Sequence, residues 1–157
     1  MAGPTRLGAR RCRLDAASSL LDQASPAGTW TREHLAGDIV GWLTTVAADG
    51  TPQSSIVCFF WDGAEIVVYG QPDALKVRNI AANPRVAFTL RGDPYGDHML
   101  SVEGIATPDP SLPPQDQVTA YMAKYREPLA HWGMDPAATA REFSLRFRIR
   151  PTRIRAF

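Results

Sequence analysis

Two Asp-Gly pairs interrupt one long apolar stretch, IVGWLTTVAADGTPQSSIVCFFWDGAEIVVYG, and they constrain the fold more than any other feature. The runs on either side of Asp49-Gly50 and Asp62-Gly63 are rich in β-branched and aromatic residues. Asp-Gly between such runs is a strong hairpin signal, because glycine supplies the positive φ that a tight turn needs. The stretch predicts an antiparallel meander of three strands, at roughly 40–47, 51–60 and 64–70.

The rest of the chain extends this pattern. Before the meander, SPAGTWTREHLAGD predicts a short helix with Thr31 as its N-cap and Glu33 in the first turn. After it, Asp73 is placed to cap a helix reaching about Ala82, which Pro84 ends. RVAFTL then reads as a fourth strand and HMLSVEGIAT as a fifth, with the loop RGDPYGD between them. The proline-rich connector PDPSLPP leads to two helical segments, QDQVTAYMAKYREPLAHW and DPAATAREF, the first carrying a break or kink at Pro128. FSLRFRIRPTRIRAF is the sixth strand. Six strands with few helices between them predict a mainly β (α+β) domain, an antiparallel barrel with helices on its outside and ends.

A chain of 157 residues with 45% hydrophobic residues holds one domain with a real core. No apolar run approaches the roughly 20 residues needed to span a bilayer. The first 27 residues read as a poorly ordered basic arm, and residues 28–157 as the barrel domain. A net charge of +1 argues against a dedicated nucleic-acid binder. Cys12 and Cys58 lie in unlike contexts, one in the arm and one in a strand, which fits a reducing cytoplasm rather than a disulfide framework. Neither a metal-ligand motif nor a Ser-His-Asp order is present, and His34, His98 and His131 are scattered.

Charge is distributed unevenly. Residues 141–157 carry six arginines against Glu142 alone. Leu145, Phe147 and Ile149 alternate with Arg146, Arg148 and Arg150, and after Pro151-Thr152 the alternation slips by one. A slip at a proline predicts a bulge or bend. The arginine face reads either as a solvated surface or as a wall facing an anion.

The segment GQPDALKVRNIAANPRV gathers Lys76, Arg78, Asn79 and Arg85 between two strands. A helix N-terminus offers free N–H groups and a positive dipole end, so a phosphate is at home there. Lys76 falls in the first turn of the predicted helix. Arg78, two residues on, flanks the apolar face from the other side, so Lys76 is the better phosphate ligand.

These runs, taken together, resemble the split β-barrel flavin and deazaflavin oxidoreductases, the pyridoxamine 5′-phosphate oxidase-like superfamily, and within it the branch that depends on the deazaflavin coenzyme F420. The marks are the order WLTTVxxDGxP, then WDG, then KxRNIxxNPRV, followed by SVEGIAT and IRPTRIRAF. The resemblance implies a six-stranded antiparallel split β-barrel, the FMN-binding split barrel, with flanking helices. It implies that the strand Gln53-Ser54-Ser55-Ile56-Val57 lies along the isoalloxazine ring. Tyr69, Gly70 and Gln71 would border the ribityl chain, and Lys76 would face the phosphate with Arg78 and Asn79 close by. A homodimer with its cofactor at the interface is also implied. The chain departs from the family at Ile56, where proline is frequent, and near Cys58, where an aromatic residue is frequent.

The function implied is F420-dependent hydride transfer to a small organic acceptor. FMN is the alternative cofactor, in an oxidase or reductase of the same family. A non-catalytic module holding flavin or haem is a further reading, with His98 as the candidate haem ligand. The basic C-terminal strand favours the acidic tail of the deazaflavin, and Tyr95, in the loop before the fifth strand, is a candidate proton donor.

Overall fold

The computed structural model describes residues 26–156. Residues 1–25 of the expected basic arm, Cys12 among them, lie outside the described residues, and the last two, Pro26 and Ala27, open the first helix. Helix α1 (Pro26–Gly37) leads into strands β1 (Val40–Val46), β2 (Pro52–Trp61) and β3 (Ile66–Gly70). Helix α2 (Leu75–Ala82) precedes β4 (Arg85–Leu90) and β5 (Leu100–Pro108). A 3-10 turn (Gln115–Gln117), α3 (Thr119–His131) and α4 (Pro136–Glu142) precede the long last strand, β6 (Leu145–Ala156).

All six strands pair antiparallel and close into a barrel in the order β1-β2-β3-β6-β5-β4. Both Asp-Gly pairs make the turns read from the sequence. Gly50 and Gly63 have φ of 87° and 102°, where a side chain is strained. The Asp49 carboxylate accepts the Thr51 N–H at 2.9 Å, and that of Asp62 accepts Ala64 and Glu65 N–H at 3.0 and 2.8 Å.

Alternation along the strands fills the barrel. Leu43, Phe59, Ile66, Val68, Phe88, Leu100, Val102, Phe147 and Ile149 form one buried cluster with Leu35 of α1 and Ile80 of α2. Strand β3 is buried along its whole length. Its other face, Val67 and Tyr69, packs under Tyr121, Tyr125 and Leu129 of α3 in a second cluster. The Tyr125 hydroxyl accepts the Phe59 N–H at 2.8 Å and lies 2.7 Å from the Ile39 carbonyl oxygen, which fixes α3 to β2.

The predicted bulge is present in β6. Glu103 pairs with Arg153 but Gly104 pairs with Pro151, so Thr152 is the extra residue, and its hydroxyl donates to the Glu103 carbonyl at 3.1 Å.

Three local expectations are corrected. Thr31 is not an N-cap: α1 starts at Pro26, as suits a proline at a first helical position, and the Thr31 hydroxyl donates back to the Ala27 carbonyl at 2.7 Å. Asp73 does not cap α2. Gln71 to Ala74 forms a turn (Ala74 N–H to Gln71 carbonyl, 3.1 Å), which moves the N-cap to Ala74, one residue beyond the carboxylate. Pro128 does not break α3, which runs on to His131.

Candidate functional site

A cleft of about 300 Å³ opens on the outside of the barrel wall. Its floor is Val40 of β1 and Ile56, Val57 and Cys58 of β2. Tyr69 at the end of β3 and Lys76 in the first turn of α2 form one end. The opposite wall is the α3–α4 corner: Tyr121, Leu129, Trp132, Met134, Thr139 and Phe143, with Gln115 of the 3-10 turn. Among the described residues, Lys76 is the only charged one lining the cleft. The N-cap of α2 is Ala74, which has no side chain able to cap the helix.

Burial sets the chemistry of the lining. It pushes the Cys58 thiol up, against the smaller pull of Lys124, so this sulfur stays a thiol and is a weak nucleophile. It also raises the phenols of Tyr69 and Tyr121. Tyr69 donates its O–H to the Pro113 carbonyl at 3.1 Å.

Of the residues singled out in the sequence, Ile56, Val57, Tyr69 and Lys76 come together in the cleft. The others lie around it. Asn79 is buried and donates from Nδ2 to Thr45 Oγ1 at 3.0 Å and Gln53 Oε1 at 2.7 Å, tying α2 to the β1–β2 hairpin. Ser54 Oγ pairs with Thr44 Oγ1 at 2.6 Å across the strands. Ser55 is half-buried and opposite Leu43. Gly70 is buried in its pairing with Leu145. Gln71 donates to Glu142 Oε1 at 2.6 Å, and Arg78 is exposed. Tyr95 is 91% exposed and does not line the cleft. His98 lies in the loop before β5, 5.7 Å from the Trp30 ring, and is not in the cleft either.

Sequence reasoning missed the whole α3–α4 wall. Those residues meet the barrel only through tertiary packing, and no local motif announces them.

The arginine wall is largely taken up within the fold. Arg148 reaches Asp62 Oδ2 at 2.5 Å, Asp109 Oδ2 at 2.8 Å and Glu65 Oε2 at 3.5 Å. Arg146 donates to the carbonyls of Pro110 and Leu112 at 3.3 and 2.6 Å. Arg153 and Arg155 both face Glu103. Four β6 arginines therefore hold the β2–β3 turn, the 109–112 connector and Glu103 of β5.

The family model for pyridoxamine 5′-phosphate oxidase matches residues 31–156, which take in the six strands, α2 to α4 and the second half of α1. The chain belongs to that family. Pyridoxamine 5′-phosphate oxidase-like proteins share a flavin-binding split barrel, and solved structures agree with the assignment. An F420 reductase is 29% identical, with a TM-score of 0.56 over 78% of this chain and 94% of that one. An FAD-binding protein from Mesorhizobium loti is 20% identical, with a TM-score of 0.59 over 82% of this chain and 91% of that one. HutZ, a haem-storage protein from Vibrio cholerae, is 18% identical, with a TM-score of 0.57 over 81% and 91%. The last two show the fold alone. Among the described residues, no helix is long and apolar enough to cross a membrane.

Proposed function

We propose that this family member is a coenzyme F420-dependent oxidoreductase that delivers a hydride to a small organic acceptor. The observation that carries the reading is the cleft, an apolar slot with a single cation beside an uncapped helix start. A flat ring with a phosphate arm fits that donor set: apolar side chains for the ring, and an ammonium with free backbone N–H groups for the phosphate. Its volume is at the low end of the ~300–1,000 Å³ usual for small-molecule sites. The 29% identity with an F420 reductase favours the deazaflavin over FMN. The β6 arginines no longer do, since carboxylates and carbonyls of the same chain hold four of them.

Lys76 binds the phosphate. Val40, Ile56 and Val57 seat the ring from the barrel side, and Leu129, Trp132 and Met134 shield it from water on the other. Tyr69 and Tyr121 stay protonated. Hydride chemistry is supplied by the bound cofactor.

The active form is a homodimer in the cytoplasm. Val40, Trp42 and Ile56 are 40%, 46% and 54% exposed, and Trp42 lies opposite Ile56 in the β1–β2 ladder. Large apolar side chains side by side on a sheet mark a surface that another chain covers. A free Cys58 suits a reducing compartment.

Protein-dependent oxidation of reduced F420 by a panel of activated alkenes tests the reaction. Binding of the coenzyme with no oxidation by any acceptor would leave a binding module in its place.

A further inference from the structure

The chain has two lysines, Lys76 in the cleft and Lys124 on α3. Lys124, Glu127, Pro128 and His131 follow the spacing i, i+3, i+4, i+7, so they share one face of the helix. With Ile39 and Trp132 they line a second cavity, of about 430 Å³. Trp132 also lines the cleft, so the two spaces share a lining residue.

The Lys124 ammonium is held firmly. It donates to the Phe59 carbonyl at 3.1 Å and sits 3.8 Å from the Phe59 ring centroid. The ionisable groups about it are Asp38 before β1, Cys58 of β2, and Tyr125, Glu127 and His131 of its own helix. Burial pulls its pKa down to about 8, against the weaker opposing effects of Asp38 and Cys58. At neutral pH it then presents more free amine than a lysine of ordinary pKa, on the order of 10²–10³-fold. A partly desolvated lysine in a cavity with its own acid–base groups is the equipment of an amine nucleophile.

We propose that Lys124 is a carbonyl-reactive lysine, whose amine captures a small aldehyde in this cavity as an imine. The nitrogen lone pair attacks the carbonyl carbon, a C–N bond forms, and the oxygen takes a proton. A second proton transfer releases that oxygen as water and leaves the C=N bond. Amine and aldehyde give imine and water, and nothing is oxidised. Glu127 and His131 carry the protons. The site does not depend on which cofactor occupies the cleft.

Two lysines make the test direct. The full-length protein is incubated with butanal and cyanoborohydride, and the resulting alkylamines are mapped by peptide mass. At pH 7.5, Lys124 is expected to be alkylated about tenfold faster than Lys76, its rate rising with pH to a plateau above about 8. Glu127→Gln slows the Lys124 adduct and leaves Lys76 unchanged. Equal or slower labelling of Lys124 in the wild-type protein would overturn the proposal, and an unaffected rate in Glu127→Gln would overturn the proton-carrying role.

Discussion

Asn79 and Lys76 stand three residues apart on α2, and the structure gives them different work. The Asn79 amide is buried between Thr45 and Gln53, whereas Lys76 lines the cleft. Asn79→Ala leaves two polar partners without their donor, at a cost of about 1–3 kcal/mol in folding stability, read from the urea midpoint. Lys76→Ala is expected to leave that midpoint unchanged and to weaken F420 binding by about 1–3 kcal/mol, read as the dissociation constant. An unchanged constant rules Lys76 out as the phosphate ligand. The sequence marks this helix as important but does not separate the two residues, because which side faces the hairpin depends on how α2 docks. The same gap explains Asp73, a good cap by type that the Gln71–Ala74 turn leaves one residue short.

Among the elements, β6 was the most legible in pattern and the least in partners. Its alternation and phase slip predict a bulge or bend at Pro151-Thr152, and the structure has the bulge, with Thr152 the extra residue. The partners of Arg148 lie 39 and 86 residues away, beyond any local pattern. Asp109 is held below its usual pKa by the Ser111 hydroxyl and then by Arg148. At Asp62 burial pushes upward, but the Glu65 and Ala64 N–H groups and Arg148 outweigh it and the net shift is downward. Carboxylates with depressed pKa values stabilise the fold above the unfolded pKa, 3.8, and lose that contribution as pH falls through the folded value. The melting temperature should therefore fall as pH drops below about 4, and Arg148→Met should flatten that limb. Equal acid limbs in the two proteins would refute the coupling. At the bulge, a Cβ on Gly104 would meet the Arg150 carbonyl oxygen and Ile149 Cγ2, each at 2.8 Å. Gly104→Ala should cost about 1–3 kcal/mol, since a strand backbone cannot step aside as a flexible side chain can.

At the scale of the molecule, the barrel was readable because each strand is a short alternating run between turn signals, and the six observed strands lie within about two residues of those expected. Half of the cleft was not readable, since Leu129, Trp132, Met134 and Phe143 reach it only once α3 and α4 have packed over β3. The outward Trp42 argues for a second copy, and Trp42→Glu should shift the protein from dimer to monomer in sedimentation velocity; a wild-type monomer would contradict the dimer outright. The central claim, a deazaflavin in the cleft, is tested most directly by titrating the purified protein with F420 and with FMN side by side, following absorbance and fluorescence. The account predicts saturable binding of both with F420 the tighter. Tighter FMN binding, or no binding of either, would contradict it.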